Sequence, residues 1–175
     1  IQQELIDSFL KSMKMDLYKH KYNSKEEYQQ YIYGSADVVG LMCLNVFVEG
    51  DVNEFENLKP QAMALGSAFQ KVNFLRDLNT DFEFLDRTYF PNLDLSNFDE
   101  RTKTSIVAEI ENDFDHALEG IFMLPKNARL GVYTAYKYYR KLLVKIKNTP
   151  SKKIQSARIR VPNYQKITVL AQSYL

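Results

Sequence analysis

The stretch 61–91, QAMALGSAFQKVNFLRDLNTDFEFLDRTYFP, constrains this chain most. At about 100° per residue, Ala62, Gly66, Gln70, Asn73, Asp77 and Asp81 fall on one helical arc roughly 100° wide. Leu65, Ala68, Val72, Leu75 and Leu78 fall on the far side as a core stripe. The polar arc therefore begins with small residues and ends with two acids. Carboxylates at i and i+4 repel unless a cation lies between them. A helix face that opens a space and then presents oxygen ligands suits Mg²⁺ holding a phosphate. The plainer reading is a solvated face, because paired acids are common on surfaces. Three details weigh against it. Ala62 and Gly66 are not surface-polar choices, and Gly costs a helix interior about 1 kcal/mol. Asn73 adds an oxygen ligand one turn before Asp77. Arg76 and Arg87 bracket the acids with guanidinium groups, which grip phosphate through paired N–H donors.

The rest of the chain also reads as helices, in a single domain over 1–175. Residues 2–20 are periodic, with apolar Leu5, Ile6, Phe9, Leu10, Met13 and Leu17. Ser24-Lys-Glu-Glu27 is a capping box opening a helix to about Glu49, stopped by Gly50 and Asp51. On that helix Tyr28, Tyr31, Ser35, Val39, Met42 and Val46 share one arc, and Gly34, Ser35, Ala36 and Gly40 thin its middle. Small residues there permit close helix packing. Pro60 is placed to serve as the first position of the next helix, which runs to about Leu85. Residues 88–100 carry turn formers. Further helices span about 100–118 and from Pro125 to about Lys147. Thr149-Pro150-Ser151 break the latter, 152–162 are irregular and basic, and a short helix from about Asn163 closes the chain. No alternating strand pattern persists.

No apolar run approaches the roughly 18 residues that span a bilayer. The single cysteine, Cys43, excludes an internal disulfide, lies in the apolar run LMCLNVF, and reads as an inert core residue in a reducing compartment. His20 and His116 have no partner at metal-ligand spacing. The net charge of +1 hides an asymmetry. Residues 120–175 hold 12 of the 23 Lys and Arg and none of the 22 acids, so the two parts carry +12 and −11. Internal pairing of basic with acidic helices would explain this. So would attraction to diphosphates or to an anionic membrane. Nucleic acid is not expected, since no compact aromatic-basic motif is present.

Asn73-x-x-Arg76-Asp77-x-x-x-Asp81 with Arg87-x-Tyr89-x-Pro91 after it resembles the second aspartate-rich motif of the squalene and phytoene synthase family. Tyr31-Ile-Tyr-Gly-Ser-Ala36-Asp-Val-Val-Gly40 resembles that family's other helix signature, and the spacing between the blocks fits. FLKSMKMDL (9–17), Leu124-Pro125 through Tyr139, and the Arg158-x-Arg160-Val161 tail match more loosely. The resemblance implies an all-α helical bundle of the isoprenoid synthase type, incomplete at its N-terminal end. It also implies a prenyltransferase of carotenoid or isoprenoid biosynthesis. Two prenyl diphosphates are joined head to head through a cyclopropyl intermediate, here two geranylgeranyl diphosphates giving phytoene. Farnesyl diphosphate giving squalene or dehydrosqualene is the close alternative.

By the same resemblance Asp77 and Asp81, assisted by Asn73, hold Mg²⁺ (or Mn²⁺). Arg76, Arg87 and Tyr89 contact diphosphate, and Gln70 lies near the metals. Tyr31, Ser35, Val39, Gly40, Ala62 and Tyr139 match positions lining the dry pocket that shelters a carbocation. Asp77, Asp81, Arg76 and Tyr31 are the expected catalytic residues.

The chain departs from the family pattern in three ways. The family's earlier aspartate-rich motif is not found, and Asp7 and Asp16 lack its spacing and context. The chain would then hold half a metal site and be inactive alone. Its uncovered apolar surface would self-associate or retain the N-terminal part. Asp37 stands where the family has a small residue, and a buried acid there needs a partner or water. Asp86 stands where many relatives have glycine, which puts Arg87's aim in question. Location is expected to be cytoplasmic, with peripheral membrane contact. Two other readings compete: a catalytically dead relative acting in assembly, and a generic helical interaction domain.

Overall fold

The computed structural model describes every residue except 92, 94–96, 174 and 175. Among the described residues the chain is helical, with one isolated bridge between Lys21 and Thr88. The elements are α1 (Gln3–Met15), α2 (Lys25–Ile32), a π-helical turn (Tyr33–Asp37), α3 (Val38–Phe47), α4 (Val52–Leu85), α5 (Glu100–Met123), α6 (Lys126–Lys147), α7 (Ser151–Ile154) and α8 (Asn163–Ser173). No helix is long and apolar enough to cross a membrane among the described residues.

α4 is the spine. Its 34 residues span about 50 Å at 1.5 Å per residue, and α3, the π turn, α5, α6 and α7 pack along it. It begins earlier than Pro60 predicts. The Asp51 side chain accepts from the Glu54 N–H at 2.9 Å and caps the first turn. Pro60 sits inside the helix and has no N–H to give the Glu56 carbonyl, a loss of about 3 kcal/mol in an isolated helix. Burial of Phe55 and Leu58 in the preceding turns offsets it.

The helix expected over 24–49 is interrupted at Tyr33–Asp37. α1 crosses directly on Gly34, where a Cβ would lie 2.7 Å from the Ser8 carbonyl oxygen. The wider π turn rephases α3 relative to α2. Ser35 and Val39 therefore face a cavity, while Met42 packs in a second core cluster and Val46 is exposed. The predicted arc from Tyr28 to Val46 does not hold beyond the turn. α1 stops at Met15 rather than near residue 20, because Leu17 and Tyr18 find no core to enter. α5 runs past Leu118 to Met123, where Ile121 is buried. A short helix, α7, breaks the irregular stretch expected over 152–162. Cys43 is exposed at the cavity rather than an inert core residue.

The core has two parts. One is aromatic, built on Tyr22, Tyr28, Tyr31, Phe74, Tyr89 and Phe114 with Leu75, Leu142 and Ile146. The other is aliphatic, built on Leu5, Val38, Leu41, Leu44, Phe55, Leu58 and Leu124.

Candidate active site

A cavity of about 590 Å³ lies between α3, α4, α5 and α6, with apolar walls. Ser35, Val39, Gly40, Ala62 and Gln70, all expected in the pocket or near it, line it. Phe69, Ile121 and Val132 line it too, beyond the residues that the sequence singles out. Close backbone contact makes its shape. A Cβ on Gly66 would fall 2.6 Å from the Ala36 carbonyl oxygen, and one on Gly40 would fall 2.6 Å from that of Ala62. The glycines thus let the π turn and α3 lie against α4, which explains Gly66's place inside a helix. The Ser35 Oγ and Gln61 Oε1 atoms are buried without a partner in this wall.

From the cavity the polar arc of α4 continues one turn at a time. Gln70 is the last member to line it. Tyr139 stacks on Phe69 with ring centroids 4.1 Å apart, and its hydroxyl donates to Asn73 Oδ1 at 3.3 Å. Tyr139 itself does not line the cavity, contrary to expectation. Asp77 comes next and is held by two guanidinium groups. Arg76 donates to it from Nη2 at 2.5 Å, and Arg158 Nε lies 2.7 Å from Oδ1. Asp81 lies one turn further on, and no side chain among the described residues bonds it. Burial and the neighbouring Asp77 charge push its pKa up to about 6, against the pull of Arg87, Arg76 and Arg158. An acid pair whose second member has no side-chain bond among the described residues, and is raised first by burial and then by its neighbour, is a place where a cation would be stabilised.

Asp86 ends α4 in the left-handed region at φ 47°, the conformation a glycine would supply. The Arg87 N–H then bonds the Asp81 carbonyl at 3.0 Å. Arg87 is thereby folded back toward α1. Its Nη2 donates to the Asp16 carbonyl at 2.6 Å, and its Nη1 donates to the Tyr89 hydroxyl at 3.4 Å and lies 3.7 Å from the Asp16 carboxylate. Tyr31 donates to the same carboxylate at 2.9 Å. Burial, then Tyr89 and Asp16, raise the Tyr31 pKa, so it remains a neutral phenol. Tyr31 does not line the cavity, contrary to expectation. It sits in an aromatic stack with Tyr89 and Phe74, and the last two rings are 3.9 Å apart.

Two residues at the site lie in segments that match the family only loosely and carry no role in the sequence reading. Asp16 lacks metal-motif spacing, yet it anchors Tyr31 and Arg87. Its position in the MKMDL segment is the available signal. Arg158 belongs to the acid-free tail and reaches Asp77 across 81 positions (158 − 77).

Mg²⁺ commonly takes one or two carboxylates and completes its shell with water and phosphate oxygens. Asp77, Asp81 and Asn73 fit that donor set. Among the described residues no cluster of three or more His, Cys, Asp or Glu could hold a metal without such help.

The family profile of squalene/phytoene synthases matches residues 1–165. The chain is 31% identical to the 15-cis-phytoene synthase of Synechocystis sp. over 93% of its own length and 54% of that protein. It is 32% identical to the phytoene synthase of Arthrospira platensis, covering 93% of itself and 60% of that relative. It thus spans little more than half the length of these curated relatives. The crystal structure of a dehydrosqualene synthase in complex with ligand superposes with a TM-score of 0.81 at 20% identity, covering 99% of this chain and 65% of that one. A squalene synthase from Alicyclobacillus acidocaldarius superposes with a TM-score of 0.63 at 20% identity, covering 99% of this chain and 61% of that one. These likenesses show the helical fold of the isoprenoid synthases. By profile, sequence and fold together, the chain belongs to the squalene/phytoene synthase family.

Proposed function

We propose that this chain serves the head-to-head condensation of two prenyl diphosphates, most directly two geranylgeranyl diphosphates to phytoene. The observation that carries this is the continuity along α4. An apolar cavity closed by Gly40–Ala62 and Gly66–Ala36 contacts leads to the oxygen ligands Asn73, Asp77 and Asp81, with Arg76, Arg87 and Arg158 around them. Bound Mg²⁺ would supply charge neutralisation on the leaving diphosphate. The guanidinium groups would take up the rest of the negative charge as the C–O bond breaks. Val39, Ala62, Phe69 and Ile121 would keep water from the allylic cation, whose attack by the second double bond gives the cyclopropyl diphosphate. Gln70 and Tyr139 would orient Asn73 and the diphosphate. Asp16 would aim Arg87 and hold Tyr31 in place.

One acid pair is half of what two diphosphates need, so we expect no turnover by this chain alone. Its open apolar wall predicts self-association or capture of a complementary polypeptide; sedimentation as a clean 20.5 kDa monomer would count against that. The test is to incubate the chain with Mg²⁺ and labelled geranylgeranyl or farnesyl diphosphate. It is run alone and together with the part of a phytoene synthase that this chain does not match, with Asp77→Ala in parallel. A C40 hydrocarbon that needs both parts and vanishes in the variant supports the reading. A C30 product moves the substrate to farnesyl diphosphate. No product from either, with both parts folded and associated, would refute it.

A further inference from the structure

About 100° around α4 from the apolar cavity, Met63, Ser67 and Lys71 follow one another at i, i+4 and i+8. They line a second cavity, of about 510 Å³, which α4 shares with α2, the π turn and α5. No residue lines both cavities. Tyr33, Met63 and Pro91 are partly exposed at the second one. Tyr28, Asp37 and Lys71 are 5%, 7% and 8% exposed, so they lie at its depth. Asp37 stands where the family pattern has a small residue, which sets this cavity apart from the shared pocket.

The deep polar groups are incompletely used. Lys71 Nζ donates to Glu109 and, at 2.8 Å, to Asp113. An ammonium has three protons, and the third finds no acceptor among the described residues. Glu109 accepts on Oε1, and Asp37 accepts from the Ser67 hydroxyl on Oδ1 at 2.6 Å. Each of these carboxylates keeps one oxygen without a bond among the described residues. The Tyr28 hydroxyl is buried and also has no partner there. The charges of Glu109 and Asp113 add to burial in raising its pKa, which places the hydroxyl at their end of the cavity. A buried hydroxyl left without a partner is costly, so an occupant of the cavity is expected to meet it.

We propose that this cavity binds a small neutral polyol of the sugar or cyclitol class. Ions of either sign are poorly served there. The Lys71 ammonium opposes a metal cation, and Asp37, Glu109 and Asp113 outnumber Lys25 and Lys71 against an anion. A hydroxyl donates and accepts at once. A molecule with hydroxyls on adjacent carbons therefore gives protons to Asp37 and Glu109 and takes them from Lys71 and Tyr28, without bringing charge. Its C–H faces suit the partly exposed Tyr33 and Met63 at the mouth. The site is independent of the prenyl diphosphate reading, since none of its residues lines the apolar cavity.

The test is methyl NMR of the full chain labelled at methionine, read at the Met63 methyl and assigned through Met63→Leu. Glucose and myo-inositol are the probes, with cyclohexanol, sodium phosphate and ammonium chloride as comparisons. A saturable shift of the Met63 resonance by at least one of the two polyols is expected, with tighter binding than any comparison compound shows. Tyr28→Phe removes a hydroxyl that has no partner in the protein, and it should weaken polyol binding by roughly two- to tenfold, the worth of one hydrogen bond. Circular dichroism checks that the variant is folded. If it is not, Glu109→Ala, at a half-exposed side chain, decides in its place by the same loss of affinity. No shift from either polyol, cyclohexanol binding as tight as inositol, tighter binding of phosphate or ammonium, or unchanged affinity in the folded variant overturns the proposal.

Discussion

Asp37 is an acid in a buried environment. It is 7% exposed at the end of the π turn, and its direct side-chain partner is the Ser67 hydroxyl, which donates at 2.6 Å. Lys71 faces it from α4 but is tied to Glu109 and Asp113 of α5. Burial pushes its pKa from 3.8 up to about 6; Ser67 and Lys71 oppose the rise and Asp113 adds to it. A folded pKa above the unfolded one means that the folded state holds the proton more tightly. The associated stability is full below about pH 4 and gone above about pH 6. Asp37→Asn should therefore stabilise the chain near neutrality by on the order of 2 kcal/mol. The difference from the parent should shrink as pH falls through that window. Urea melts from pH 4 to 8 measure it, and a constant difference would refute the assignment. Arg158 supports a second prediction at this scale. Its guanidinium is half-exposed and lies on Asp77, a carboxylate proposed to hold the metal. Arg158→Gln should tighten binding of Mn²⁺ alone by about two- to five-fold, the worth of an exposed ion pair. Loss of the Mn²⁺ resonance on titration reads it, and weaker binding would show that Arg158 does not compete with the cation.

Among the elements, α4 and the π turn are joined through backbone rather than side chains. A Cβ at Gly66 meets Ala36 backbone atoms at 2.6 and 2.9 Å, and backbone cannot step aside as a flexible side chain can. Gly66→Val should cost about 1–3 kcal/mol or more in urea unfolding. Gly131→Ala, where nothing lies within 4 Å of the added atom, should gain roughly 0.5–1 kcal/mol from helix propensity. Equal effects at the two positions would refute the close-contact account. The same contrast explains what can be read from sequence. The α4 arc is legible because its signal is periodic and local, and the structure keeps its small residues at the cavity and its acids one after another beyond it. The π turn is not: it lies where α1 packs on Gly34, a contact between residues far apart in sequence that no local pattern announces. Pro60 misleads for a related reason. A proline is a local start signal, but the Asp51 cap and the burial of Phe55 and Leu58 outweigh it. The resemblance puts Tyr31 in the pocket, yet its hydroxyl is claimed by Asp16, fifteen positions upstream.

Across the whole molecule two regions carry clustered cationic groups, and each would attract anions by a different means. The outer face of α6 carries Lys137, Lys141 and Lys145, which would need no metal to attract phosphate. The end of α4 presents Asp77 and Asp81, the latter with no side-chain bond among the described residues; these would repel a free diphosphate and accept one with a cation between. Inorganic diphosphate without metal should therefore raise the unfolding temperature slightly in the parent, and no less in Asp77→Ala, which frees Arg76 and Arg158. With Mg²⁺ present the parent alone should gain more. At a ligand concentration 100 times the dissociation constant, linkage gives about 2.7 kcal/mol, or roughly 5–10 °C for a chain of this size. Mg²⁺ without diphosphate should give a smaller rise, since two carboxylates and an amide leave much of the metal's shell to water. Differential scanning calorimetry of the four combinations, in parent and variant, measures all of this. A metal-dependent rise of the same size in Asp77→Ala would mean that the diphosphate sits on the basic face, and the acid pair of α4 would lose its role as the metal site.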